Sequence, residues 1–84
     1  MTSTEIIDSL NTAITNGRGF IWEKPQAIGN GEVSVYTQNG FGIIAVPHRY
    51  SGAEYTVVWD DGTEYDNQST FRSAADAVTL AESL

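Results

Sequence analysis

The sequence predicts an α+β domain: an N-terminal helix, a four- to five-stranded antiparallel sheet of hairpins, and a C-terminal helix. Three observations predict it. Segments of helical periodicity lie at the two ends of the chain, and each is opened by the spacing of a capping box. Runs rich in aromatic and β-branched residues fill the middle. Those runs are separated by Asn-Gly and Asp-Gly, the dipeptides that tight hairpin turns favour. With no internal repeat, linker or low-complexity run, residues 1–84 read as a single domain.

Thr2-Ser3-Thr4-Glu5 places a hydroxyl at the N-cap and a carboxylate at N3, so a helix starts here. Ile6, Leu10, Ala13 and Ile14 recur on one face, and Asn16-Gly17 stops the helix with Gly17 in the left-handed C′ position. Gly19 to Lys24 reads as a first strand with Phe20 and Trp22 inward, ended by Pro25. Gln26 to Gly31 reads as a loop. No helix follows its glycines, so it is not a phosphate cradle.

Glu32–Gln38 and Phe41–Val46 predict a hairpin about Asn39-Gly40 as a type I′ turn, pairing Tyr36 with Ile43 and Val35 with Ile44. One face is then Val33, Val35, Ile44 and Val46. The other is Tyr36, Phe41, Ile43 and Ala45, available to a partner or to a second copy as a homodimer contact. Pro47 to Gly52 is a connecting loop.

Glu54 to Asp66 predicts a further hairpin, and its register decides where its acids point. A two-residue turn at Asp61-Gly62 would set Trp59 against Glu64 and Val57 against Asp66. A type I turn over Asp60-Asp61-Gly62, with Gly62 as a G1 bulge, sets Trp59 against Thr63 and Val57 against Tyr65. Only the second separates Tyr55, Val57, Trp59 and Tyr65 from Glu54, Thr56, Val58, Glu64 and Asp66, so the bulged turn is the expected one. After a polar stretch, Ser73 to Asp76 repeats the capping-box spacing. It opens a helix from Ala74 to near Leu84 with an inner face of Ala74, Ala77, Val78, Ala81 and Leu84.

The chain carries a net charge of −7 and no Cys. Thiol catalysis, disulfides and thiolate zinc sites are thereby excluded, and a cytoplasmic home fits without being required. The charge is uneven: residues 54–84 hold seven acids against Arg72 alone. That balance argues against direct binding of nucleic acid or anionic membrane and favours a basic protein surface. No signal peptide or membrane span is expected.

Asp60, Asp61, Glu64 and Asp66 invite a calcium reading, but their spacing lacks the alternating ligands and distant Glu of an EF-hand, and Asp-Asp-Gly is what a turn wants. No metal or cofactor is expected. His48 is the lone imidazole, with no triad pattern around it. The aromatics lack the interleaved bases of a nucleic-acid-binding surface, and Tyr36, Phe41 and Tyr50 are the ones expected to be exposed.

The function expected is therefore non-enzymatic: Glu54, Asp60, Asp61, Glu64 and Asp66, edged by Tyr36, Phe41 and Tyr50, dock on a basic macromolecule such as a nucleic-acid-binding protein, whose groove they would occupy as a nucleic-acid mimic. In size, acidity, lack of Cys and a single α+β domain, the chain is similar to small phage-encoded inhibitors of host defence, including anti-CRISPR proteins. That similarity is one of style and not of motif. The alternative is a small enzyme or ligand-binding domain using the His48–Ser51 loop with hairpin carboxylates.

Overall fold

Two capped helices lie against one face of a meander. A computed structural model describes all of residues 1–84. Its elements are α1 (Ser3–Thr15), β1 (Gln26–Gly29), β2 (Glu32–Tyr36), β3 (Phe41–Pro47), β4 (Ala53–Trp59), β5 (Thr70–Phe71) and α2 (Ala74–Glu82). Sheet order equals chain order and every neighbouring pair is antiparallel.

The helix starts follow from local chemistry. Thr2 Oγ1 accepts the Glu5 N–H at 3.2 Å while Glu5 Oε1 accepts the Thr2 N–H at 2.9 Å, closing the capping box. Ser73 caps α2 by accepting the Asp76 N–H at 3.4 Å. Ile6, Leu10 and Ala13 of α1 and Ala74, Ala77, Val78 and Ala81 of α2 are buried against Val33, Val35, Ile43, Ala45, Tyr55 and Val57 of the sheet. The small side chains of α2 let its axis lie close to the strands.

The first strand is not where the sequence places it. Gly19–Lys24 makes only an isolated bridge, Trp22 to Thr37, and the edge strand is Gln26–Gly29, expected to be loop. Asn30 (φ 56) and Gly31 (φ +75) both lie in the left-handed region, so Asn30-Gly31 is the two-residue turn joining β1 to β2. Trp22 still packs on the core, whereas Phe20 is only half-buried. Gly17 does not take the left-handed conformation expected of it; Gly19 does, at φ +80.

The turn at Asn39-Gly40 also differs, by one residue. Thr37 Oγ1 accepts the N–H groups of Asn39 and Phe41 and donates to the Phe41 carbonyl at 3.0 Å. Those bonds hold a longer turn over Gln38–Gly40, with only Gly40 at positive φ (+88). Val35 therefore pairs with Ile43 and Tyr36 with Gly42. Because side chains alternate, that shift exchanges the faces of β3: Ile43 and Ala45 are inside, and Ile44 and Val46 lie on the uncovered side.

Candidate functional site

The bulged turn forms as its residue pattern requires. Trp59 N–H donates to the Thr63 carbonyl at 2.8 Å, Gly62 N–H to the Trp59 carbonyl at 2.9 Å, and Gly62 has φ +84. Tyr65 N–H reaches the Val57 carbonyl at 3.0 Å, and Glu64 stands opposite Val58. The strand then breaks off. Asp66 to Ser69 loop out before Thr70 rejoins β4 opposite Thr56. Buried Ser69 fills the gap, its hydroxyl donating to the Val57 and Asp66 carbonyls.

Asp60, Asp61, Glu64 and Asp66 are all exposed. Asp61 Oδ1 accepts the Thr63 N–H at 2.9 Å, and hydrogen bonding to Thr63 holds its carboxyl below the ordinary value. Asp66 Oδ1 accepts the Gln68 N–H at 2.6 Å. Asp60 and Glu64 have no side-chain partner, and no Lys or Arg forms an ion pair with any carboxylate of the chain. Asp60 N–H donates to the Gly40 carbonyl at 3.0 Å, which fastens this turn to the one before β3.

The other expected contact residues are scattered. Glu54 lies on the uncovered face near the far end of β4, roughly 17 Å along the strand from Trp59 at ~3.3 Å per residue. Its Oε1 is 2.9 Å from His48 Nε2, within the loop that joins β3 to β4. Tyr50, 90% exposed, sits at the tip of that loop with the Arg49 guanidinium 5.6 Å from its ring centroid. Ser51 is exposed, and its hydroxyl makes no hydrogen bond to His48. Tyr36 lies on the uncovered face with its ring over Gly42, where a Cβ would collide with it. Phe41 lies on the helix side.

The expected homodimer face does not exist as a surface. Ile43 is fully buried, and Tyr36 and Phe41 point to opposite sides of the sheet, a direct result of the one-residue change of register.

Two features were missed from sequence. The first is that Phe41 joins Trp59 and Tyr65, which were expected on one face, in a cluster with ring centroids 4.7 Å apart for Phe41–Trp59, 5.9 Å for Phe41–Tyr65 and 5.7 Å for Trp59–Tyr65. It lies at the turn end of the helix-side face, and Trp59 remains 43% exposed there. The pairing Phe41↔Trp59 follows from the β3–β4 register, which sequence reasoning left unassigned. The second is Glu82, 2% exposed, whose Oε2 accepts Trp22 Nε1–H at 2.8 Å and whose Oε1 accepts the Arg18 N–H at 2.9 Å. A Cβ at Gly17 would strike this carboxylate. Glu82 is thus a staple that ties the segment after α1 to the end of α2.

An open groove of about 600 Å³ runs between the helices and the β3–β4 loop, with Asp8 and Arg72 as its charged lining. It contains none of the hairpin acids. No group of His, Asp and Glu is close enough to hold a metal ion, and no helix is long and apolar enough to cross a membrane.

Fold and surface together define an α+β domain of two helices on a five-stranded meander, presenting carboxylates without Lys or Arg partners at a hydrogen-bonded turn next to an aromatic cluster of which Trp59 is the exposed member. Comparison with protein families, with characterised proteins and with solved structures gives no match.

Proposed function

We propose that this is a non-enzymatic cytoplasmic binding protein that docks the Asp60–Asp66 turn region on the basic surface of a macromolecular partner. The observation that carries the reading is that Asp60, Asp61, Glu64 and Asp66 stand exposed with no Lys or Arg to neutralise them. Like charges held together oppose the compact state, and a basic partner relieves that repulsion while gaining electrostatic steering. A nucleic-acid-binding protein is the partner class that fits best, because carboxylates on a stiff frame imitate a phosphate backbone. Occupation of its groove would make the chain a stoichiometric inhibitor, in the manner of anti-defence (anti-CRISPR-like) proteins. Glu54 and Tyr50, at the far end of the sheet, form no part of this contact.

The test is capture of a partner at low salt followed by reversal of charge. Asp60→Lys with Glu64→Lys should weaken binding at least tenfold, and Asp8→Lys with Glu23→Lys should change it little. Raising ionic strength should release the complex, since screening shortens from ~8 Å at physiological salt to ~3 Å at 1 M. Equal losses from the two double variants, or salt-insensitive binding, would rule the reading out.

A further inference from the structure

We infer that the Phe41–Trp59–Tyr65 cluster is the anchor of this docking surface, and that its occupant is an arginine-bearing segment of the partner whose guanidinium lies on the exposed Trp59 ring. The inference rests on the acidic docking reading above and adds the residue type that is recognised.

The cluster is the part of the helix-side face that the helices leave uncovered. Phe41 and Trp59 lie in line with buried Ile43 and Val57, one step further toward the turns, and Trp59 is 43% exposed where its neighbours are covered. Its position is preorganised. The backbone of Trp59 is held by Thr63 and Gly62, the next residue is tied to Gly40, and two rings pack on the indole. A rigid ring loses little conformational freedom on binding.

Charge selects the occupant. Asp60 and Asp61 directly follow Trp59 at the exposed turn, while Glu64 stands opposite Val58 on the other face of the sheet, so the acids next to the cluster are the two of the turn. An apolar segment would desolvate those acids without compensation. A second copy of this chain, at −7, would be repelled. A cation is attracted by both the ring face and the acids, and none of the chain's own serves: the single cation–π contact is Arg49 on Tyr50. Between the two cationic side chains, arginine fits better. Its guanidinium is planar and weakly hydrated, so it stacks on indole while its N–H fork reaches a carboxylate, whereas the lysine ammonium holds its water.

Two peptides of equal length and charge, one all arginine and one all lysine, test this by calorimetry and tryptophan fluorescence on the whole chain. The arginine peptide should bind about three- to fivefold more tightly. Its binding should change the fluorescence, and Trp59→Leu should abolish both the preference and the fluorescence change, so that the two peptides bind the variant equally. Trp59→Phe, which keeps a ring, should retain part of the preference, and thermal melts check that both variants fold. Equal affinities in the unaltered chain, or a preference that survives Trp59→Leu, overturn the anchor and leave the acidic surface standing. Binding of neither peptide overturns both.

Discussion

At the scale of single residues, Glu82 carries the largest consequence. Acids are seldom fully buried unless paired, and this one meets two N–H donors in place of a cation. Removing it takes the acceptor from the Trp22 indole and from the Arg18 amide, two part-buried donors, each then costing part of the desolvation of a buried polar group. Glu82→Ala should therefore destabilise the chain by about 2–3 kcal/mol in urea unfolding. Glu82→Gln, which keeps one carbonyl acceptor, should lose less. A loss below about 1 kcal/mol for the alanine variant would mean that water replaces the carboxylate at no cost.

At the scale of elements, the glycine of the turn after β4 and a glycine within β3 show two different demands. Gly62 sits at φ +84 with open space around it, so a side chain there meets backbone strain alone. Gly62→Ala should cost about 1 kcal/mol. Gly42 has ordinary strand dihedrals, but a Cβ would drive into the Tyr36 ring and lie 2.8 Å from the Val35 carbonyl. Gly42→Ala should cost more than Gly62→Ala, and Tyr36→Ala made together with it should recover part of the loss. Melting temperatures of the three variants read this directly; Gly42→Ala milder than Gly62→Ala would place Tyr36 elsewhere.

Considered as a whole, the molecule is an acidic body whose one contact within 4 Å between a carboxylate and a basic side chain joins Glu54 to His48 on the surface, where such contacts contribute little. Salt thus has no Lys or Arg bridges to weaken and mainly screens repulsion among the remaining carboxylates. Stability should rise between low and moderate sodium chloride, read as an increase of a few degrees in melting temperature at neutral pH. A decrease would indicate that attraction dominates the surface after all. The same distribution sets the direction of binding: screening that stabilises the free chain should weaken its complex.

What the sequence determined by itself is whatever depends on residues a few positions apart. The capping box of Thr2 and Glu5, the Ser73 cap and the bulged turn at Asp60–Gly62 each close through contacts within one turn, and the inner faces of both helices follow from local periodicity, except that Leu84, expected inward, lies exposed beyond the end of α2. The α+β order follows from them. Tertiary structure decided the rest. Asn39-Gly40 alone fits either of two registers, and the choice fell to Thr37 bonding across the turn and to the helices burying Ile43 in place of Ile44. Gln26–Gly29 became a strand because it had β2 to pair with, though its own residues are all exposed and show no apolar alternation. Glu82 meets Trp22 across 60 positions of sequence, and Phe41 meets Tyr65 only once β3, β4 and the segment after the turn are aligned. Such contacts depend on chain closure and packing, and no local periodicity records them.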